Sequence, residues 1–202
     1  MSTLAFVGDS FVEGVGDEQH GGWTRRIVEQ LPPGWHTVHK GIGGDNIRAI
    51  LNRLYDDVLV HDPQVVVVEV GINDSRIRPS FGNLNEVPSR EFEVSLDTLG
   101  RILEAGSRKL VLVGLTPVDE TRTNPYKEDK IYLNEWIRRY DGLLGEFARS
   151  RGAPFVSLYD EFVSRGGPRE LTVDGLHPSP AGHTFIAERA SGVLSQVLAS
   201  TK

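Results

Sequence analysis

The 202-residue chain contains no cysteine. Disulfide bonds, thiolate nucleophiles and cysteine-ligated zinc sites are therefore excluded from any account of its fold or activity. Basic charge is scarce as well, because 28 acidic residues outnumber 22 lysines and arginines and leave a formal net charge of −6. Since binding to nucleic acid phosphates requires a basic face, nucleic acid is not expected to be a partner.

Long apolar runs are also missing. No stretch approaches the ~20 residues that cross a bilayer as a helix, so no membrane span is expected. The N-terminus has no basic flank, and Met1-Ser2-Thr3-Leu4 leads straight into a strand-like segment. On that pattern no secretory signal peptide is predicted, and a cytoplasmic location is expected.

What the chain does have is a regular alternation of strands and helices. Short aliphatic runs predict five strands, at residues 4–7, 36–39, 64–70, 109–113 and 154–158. Apolar residues recur at helical spacing between them, and Ser179 and Pro180 predict the start of a last helix. Residues 75–89 and 116–127 are predicted as irregular loops. The alternation is typical of an α/β protein, a three-layer α/β/α sandwich with a five-stranded parallel sheet, and residues 1–202 are interpreted as one domain.

Polar, glycine-bearing turns follow the predicted strands, where ligands of open parallel sheets bind. Ser10 follows the first strand, and a serine needs a base before it can attack. His177 is the candidate base, because Asp174 stands three residues earlier and a tight turn would bring its carboxylate to the imidazole. The other five histidines are interpreted as having no acid at a useful spacing. Ser10 alone could equally cap the next helix, so the prediction that it is a nucleophile rests on its combination with the other residues at the strand ends.

Two more residues at strand ends are candidate donors to an oxyanion. Asn73 follows the third strand and can offer its side-chain amide. Gly44 can offer a backbone N–H just before a helix predicted from about Asn46. Gly43 stays open as an alternative donor, and Gly44 is preferred because the helix entry at Asp45-Asn46 directly follows it.

Four sequence blocks, taken in order, resemble those of the SGNH hydrolase family, also called GDSL-type esterases and lipases. The blocks are Gly8-Asp9-Ser10, Gly43-Gly44, Gly71-Ile72-Asn73-Asp74 and Asp174-Gly175-Leu176-His177, and the resemblance spans residues 6–178. It implies a flavodoxin-like fold and an enzyme that hydrolyses carboxylic esters. In that family pattern Ser10 is the nucleophile, His177 the base and Asp174 its orienting acid. The N–H of Ser10 joins Gly44 and Asn73 in the oxyanion hole.

The chain departs from the family pattern at two positions. Phe11 follows Ser10 where the family name expects leucine, and Lys40 stands where asparagine often precedes the first glycine of the second block. Family members vary at the first of these positions. The second leaves the choice between Gly43 and Gly44 open.

Four charged residues near the blocks complete the predicted site. Asp9 and Asp74 are interpreted as structural support, while Arg76 and Arg78 are expected to contact a polar or anionic part of the substrate. No metal or other cofactor is expected. The substrate is predicted to be a small ester with a short acyl chain, and thioesters, lysophospholipids and acetylated sugars are kept as alternatives. The sequence does not decide the oligomeric state.

Two rival functions use the same residues. A metal-dependent phosphoesterase would gather Asp9, Asp74, Asp174 and His177 around one or two metals. A non-catalytic binding module on the same fold would have lost a catalytic residue, and none is lost. The chain lacks the Gly-x-Ser-x-Gly elbow of typical α/β-hydrolases, and residues 8–16 do not fit the Gly-x-Gly-x-x-Gly spacing of dinucleotide-binding proteins.

Overall fold

Strands and helices alternate along the computed structural model, which describes residues 2–201. In chain order the elements are β1 (Ser2–Gly8), α1 (Ser10–Glu13), α2 (Gly22–Val28), β2 (Trp35–Gly41), α3 (Ile47–Asp57), β3 (Val65–Glu69), α4 (Ile72–Ser75), β4 (Ile77–Arg78), β5 (Leu84–Asn85), α5 (Ser89–Ala105), β6 (Lys109–Val113), α6 (Glu120–Thr123), α7 (Asn134–Arg151), β7 (Phe155–Val156), α8 (Tyr159–Ser164), α9 (Gly167–Leu171) and α10 (Pro180–Ala199).

Five of the strands form one parallel sheet in the order β2-β1-β3-β6-β7. This order is that of flavodoxin-like folds. Every residue of β3 is buried, as expected for a β-branched run that is covered on both faces. The predicted three-layer α/β/α sandwich with a five-stranded parallel sheet is therefore confirmed.

Helices cover the sheet in two layers. The connection from β1 to β2 runs in one direction along the sheet, and all later connections run in the opposite direction. Since connections between parallel strands are right-handed, α2 lies on one face of the sheet and α3, α5 and α7 lie on the other. The packing agrees, since α10 contacts α2, while α5 contacts both α3 and α7. Fully buried aromatic side chains anchor each layer, with Trp23 on α2 and the Phe92–Tyr140 pair, whose ring centroids lie 5.0 Å apart, between α5 and α7.

The two predicted loops contain short elements that the sequence did not reveal. Residues 75–89 hold the antiparallel pair β4 and β5, and residues 116–127 hold α6. Two-residue strands and a four-residue helix are too short to produce a hydrophobic period, which explains the difference. The start of the last helix is confirmed, because Ser179 Oγ accepts the N–H of Gly182 at 3.3 Å and Pro180 is the first residue of α10.

Of the helices that lie within residues 2–201, none combines the length and the apolar character that a membrane crossing requires.

Candidate active site

The neighbouring strands β1 and β3 end at the point where the chain connections diverge to opposite sides of the sheet. Such a switch point opens a crevice beyond the carboxyl ends of the strands. Ser10, the first residue of α1, enters this crevice directly after β1. Gly8 makes the tight turn possible, because a Cβ there would lie 2.5 Å from both the carbonyl oxygen of Glu69 and a methyl carbon of Val12.

A continuous chain of hydrogen bonds runs from Ser10 to an acid. Ser10 Oγ lies 3.0 Å from His177 Nε2, and His177 Nδ1 lies 2.7 Å from Asp174 Oδ2. The other carboxylate oxygen of Asp174 accepts the backbone N–H groups of Leu176 at 3.0 Å and His177 at 2.8 Å. This local turn fixes the aspartate–imidazole geometry, so the structure brings together the three residues predicted as nucleophile, base and orienting acid.

Asp174 is held as a carboxylate by its donors. Burial opposes its ionisation, but hydrogen bonds from the side chain and backbone of His177, from Tyr126 and from the Leu176 N–H outweigh it and keep the pKa of Asp174 well below the ordinary value. The Tyr126 hydroxyl donates to Asp174 Oδ2 at 2.7 Å, and burial raises the pKa of this phenol, so it stays a donor. Tyr126 escaped the sequence analysis because it lies in a loop without a periodic pattern.

The two glycines predicted as alternative oxyanion donors differ in what their N–H groups contact. Gly43 N–H donates to Glu13 Oε2 at 2.7 Å. Gly44 N–H finds no acceptor within residues 2–201. Gly44 has a φ of +89°, and a Cβ at this position would meet nothing within 4 Å. The open surroundings and the unpaired N–H favour Gly44 over Gly43 as the donor.

Asn73 lies on α4 with its side chain in the wall of the crevice, and all of its hydrogen-bonding capacity is in use. Its amide nitrogen donates to Asp9 Oδ2 at 2.8 Å and to the carbonyl of Asp45 at 3.0 Å. Its oxygen accepts from Arg76 at 3.1 Å and from the Tyr132 hydroxyl at 3.0 Å, which fixes the orientation of the amide. Asn73 can therefore reach an oxyanion only by exchanging one of its two present acceptors for the substrate oxygen.

The sequence profile of the GDSL-like lipase/acylhydrolase family matches residues 6–185, which is most of the chain. The chain belongs to this family. It is therefore a serine ester hydrolase, and the sequence-based resemblance to the SGNH or GDSL group is confirmed.

Relatives and solved structures agree with the family assignment. The chain is 26% identical to an acetylxylan esterase of Geobacillus stearothermophilus, over 76% of the chain and 69% of the relative. It is also 26% identical to the platelet-activating factor acetylhydrolase IB subunit alpha2 of Rattus norvegicus, over 98% of the chain and 78% of the relative. The crystal structure of Axe2, an acetylxylan esterase from Geobacillus stearothermophilus, has the same fold, with a TM-score of 0.74, 22% identity and coverage of 94% of this chain and 92% of that one.

Three carboxyl groups are buried near Ser10, and we call Asp9, Glu69 and Asp74 the buried carboxyl cluster. Asp9 Oδ1 accepts the N–H of Phe11 at 2.9 Å, and Asp74 Oδ1 accepts the N–H of Ile47 at 2.9 Å. Asp9 thus caps the helix that carries Ser10, and Asp74 ties α4, which follows β3, to the start of α3. The predicted supporting roles of Asp9 and Asp74 stay predictions, and these contacts favour them.

Burial favours the protonated forms in the buried carboxyl cluster. It raises the pKa of Asp9 to about 6 and that of Asp74 to about 7. Burial and the neighbouring charge of Asp9 raise the pKa of Glu69 well above its ordinary value. The side chains of Glu69 and Asp9 interact directly, and this interaction lowers the pKa of Asp9 and raises that of Glu69, so Glu69 is the carboxyl of the two that favours the proton. The sequence analysis passed over Glu69 because it lies within the apolar run of β3.

The crevice forms a pocket of about 270 Å³ whose wall includes Ser10, Gly44, Asn73, Arg76, Lys130 and His177. Arg76 is at the pocket but is already bonded to Asn73 and to Glu86. Arg78, also predicted to contact substrate, does not line this pocket, because Glu86 and Asp129 bind its guanidinium at 2.8 and 2.7 Å. A larger pocket of about 360 Å³ lies at the opposite edge of the sheet, beside Lys109 and Pro154.

The structure corrects one detail of the histidine analysis. His20 does have an acid at a useful spacing, because its Nδ1 lies 2.9 Å from the Asp17 carboxylate. The sequence analysis was wrong to treat Asp174 and His177 as the single pair of this kind. The rival metal site needs several such ligands together, and within the part of the chain that the structure describes no group of three or more His, Asp or Glu side chains is placed to hold a metal.

Proposed function

We propose that the esterase works through an acyl-enzyme on Ser10, and the hydrogen-bonded chain Ser10–His177–Asp174 is the observation that carries this proposal. His177 Nε2 takes the proton of Ser10 as Oγ bonds to the ester carbonyl carbon. The alcohol then leaves and takes that proton from His177, while Asp174 stabilises the imidazolium. Water repeats the two steps on the acyl-enzyme and releases the acid and Ser10.

Negative charge develops on the carbonyl oxygen in both halves of the reaction. The backbone N–H groups of Ser10 and Gly44 and the amide of Asn73 are proposed to receive it. In this proposal Asn73 exchanges its bond to the Asp45 carbonyl for the oxyanion and keeps its bond to Asp9. The amide nitrogen of Asn73 is thereby anchored by Asp9 on the buried side, and its other hydrogen is free to bind the substrate oxygen on the pocket side.

We propose short acyl groups, above all acetyl, as the part of the substrate that is transferred. The pocket is small, and its wall is rich in polar groups. Two relatives supply independent support, since one is named an acetylxylan esterase and the other an acetylhydrolase. Acetyl to butyryl esters are the expected substrates, and thioesters, lysophospholipids and acetylated sugars remain the alternatives.

Replacement of the nucleophile tests the mechanism. Ser10→Ala should lower kcat for 4-nitrophenyl acetate by about 10⁴–10⁶-fold, the range expected when a serine nucleophile is removed. A phosphonylating reagent should label Ser10 of the unmodified enzyme and nothing in the variant. Ser191→Ala on α10 is the control, because its hydroxyl is buried far from the pocket and contacts no partner in the described chain. An active Ser10→Ala enzyme, or a label on another serine, would refute the mechanism.

A series of aryl esters tests the acyl group. We expect kcat/KM to be highest between two and four carbons and to fall steadily up to sixteen, without a jump when the substrate forms an emulsion. A maximum at ten carbons or more, or activation at the emulsion surface, would show that an apolar groove accepts the chain.

A further inference from the structure

Two lysines on one turn face the catalytic pocket without a counter-ion. Lys127 and Lys130 both line the pocket that contains Ser10. No carboxylate lies within 4 Å of either ammonium group among residues 2–201. In a chain with a formal charge of −6, two unpaired cations beside a nucleophile are a local reversal of the overall charge.

The nearby acids are committed to other cations. Glu86 binds both Arg76 and Arg78, and Asp129, which lies between the two lysines in sequence, binds Arg78 at 2.7 Å. Glu128 is exposed and forms no ion pair within the described chain. The arginines predicted from the sequence to meet the substrate are therefore neutralised, while the lysines are not.

The turn that carries the lysines is fixed at both ends. Lys130 N–H donates to the carbonyl of Lys127 at 2.9 Å, which closes the turn. On one side Tyr126 is bonded to Asp174, and on the other Ile131 exchanges backbone hydrogen bonds of 2.8 and 3.1 Å with Ile77. The backbone of the turn is thus held in place relative to Asp174, and both lysine side chains start from fixed points at the pocket.

Charge repulsion at this turn is only partly relieved by the protein, because Glu86 raises the pKa of Lys130 while stronger effects lower it. Lys130 is half-buried, and burial together with the charges of Arg76 and Lys127 lowers its pKa. Lys127 rests over the ring of Tyr126, with its nitrogen 5.1 Å from the ring centroid. A group of like charges that is costly in the empty pocket becomes favourable when an anion enters.

We propose that the natural substrate of the esterase is an anionic ester, with a carboxylate or phosphate a few bonds from the scissile carbonyl that binds Lys127 and Lys130. This inference rests on the proposed function, because it names the substrate class of the same site. The anion can belong to the acyl part or to the alcohol part, and the two arms of the experiment separate these sources.

The experiment compares matched esters that differ only in charge. On the alcohol side the pair is 4-acetoxybenzoate and its methyl ester. On the acyl side the pair is 4-nitrophenyl hydrogen glutarate and its methyl ester. Each kcat/KM is divided by the rate of hydroxide-catalysed hydrolysis of the same ester, and the readout is the ratio of the anionic to the neutral ester. We expect that ratio to exceed about ten in one arm, since each partly exposed ion pair contributes up to about fivefold.

Charge-removing variants assign the preference to the turn. The double variant Lys127→Gln/Lys130→Gln should bring the ratio close to one, and Lys130→Arg should keep most of it. Lys109→Gln/Arg149→Gln, at two positions outside the pocket, makes the same change in net charge and should leave the ratio unaltered. About 1 M salt should lower the ratio of the unmodified enzyme, because the Debye length is then about 3 Å.

The outcomes separate this inference from the catalytic proposal. A ratio that is unaffected by the double variant in both arms overturns the inference, as does a loss that is equal for the anionic and the neutral ester. If none of the four esters is hydrolysed, the catalytic proposal is the one that fails. The affinity of the Ser10→Ala protein for 4-acetoxybenzoate and for its methyl ester, measured by calorimetry, then still decides whether the pocket prefers an anion.

Discussion

Two histidines in this chain follow an aspartate by three residues, and the two pairs are used in different ways. In the first pair His20 contacts Asp17, but its side chain is 54% exposed, and Asp17 is also bound by Arg26. In the second pair the side chain of His177 is 14% exposed, and its free nitrogen faces Ser10.

The spacing therefore produces the same aspartate–imidazole contact twice, and the surrounding fold decides its use. Asp17 lies between α1 and α2, where Arg26 of α2 binds it, and the hydrogen bond to Asp17 is the one that the His20 ring makes among the described residues. Asp174 lies downstream of the last strand, at the sheet edge where Ser10 emerges. An Asp-x-x-His motif alone is evidence for a local turn, and it becomes evidence for catalysis when its position relative to the sheet is known.

The largest contrast between the pairs is expected in turnover. Asp174→Asn should lower kcat by about 10²–10⁴-fold, because an amide favours the wrong tautomer of His177 and cannot stabilise the imidazolium. Asp17→Asn should leave kcat within about threefold. Steady-state kinetics on 4-nitrophenyl acetate measures both. A similar loss in the two variants would mean that Asp174 acts on the fold and not on the reaction.

In the first pair the expected effect is on the stability of the fold and not on turnover. Burial opposes the ionisation of Asp17, but hydrogen bonds from Arg26 and His20 outweigh it and lower the pKa of this carboxyl. A depressed pKa contributes stability above the unfolded-state value near 3.8, and the contribution is lost as pH falls through the folded-state value. Asp17→Asn should therefore reduce the free energy of unfolding by about 1–3 kcal/mol at pH 7.

That deficit should shrink at acid pH. Urea unfolding of the unmodified protein and of Asp17→Asn at pH 7, 5 and 3 gives the difference directly, and other titrating groups cancel in the subtraction. A deficit that is constant from pH 7 to pH 3 would show that the lost contacts do not depend on the charge of Asp17.

The smallest expected effect concerns Tyr126, whose hydroxyl is an additional donor to Asp174 in the Asp174–His177 pair. Tyr126→Phe removes the hydroxyl that donates to Asp174, and kcat should fall about three- to tenfold. Tyr55→Phe is the control, since the Tyr55 side chain is exposed on α3. An unchanged kcat in Tyr126→Phe would leave the tyrosine with a packing role only.

The sequence was informative where a physical requirement repeats along the chain. Buried parallel strands need long β-branched runs, so the run that became β3 was visible, and Ser179-Pro180 marked a helix start. Candidate site residues at strand ends were visible for the same reason, because strand boundaries place Ser10 and Asn73 at a common edge. The interpretation as one domain, the cytoplasmic location and the lack of a nucleic acid partner stay predictions.

Other parts of the site could not be read from local patterns. Tyr126 and Lys130 lie in a loop whose path depends on contacts with Asp174 and Ile77, which are distant in sequence. Arg76 and Arg78 carried the expected sign of charge, but their neutralisation by Glu86 arises from the short hairpin of β4 and β5. Glu69 reads as an interruption of an apolar strand, and its meaning depends on its burial beside Asp9.

The carboxyl groups of the buried carboxyl cluster bind protons more tightly in the folded enzyme than in the unfolded chain. Burial raises the pKa of Glu69 well above its ordinary range, so the folded chain holds this proton more tightly than the unfolded chain, and unfolding at a pH between the two values releases it to the buffer. Folding of this domain is in that respect a proton-uptake reaction, and part of its measured heat belongs to the ionisation of whichever buffer supplies the proton. Mild acid therefore favours the layer of the molecule near Ser10.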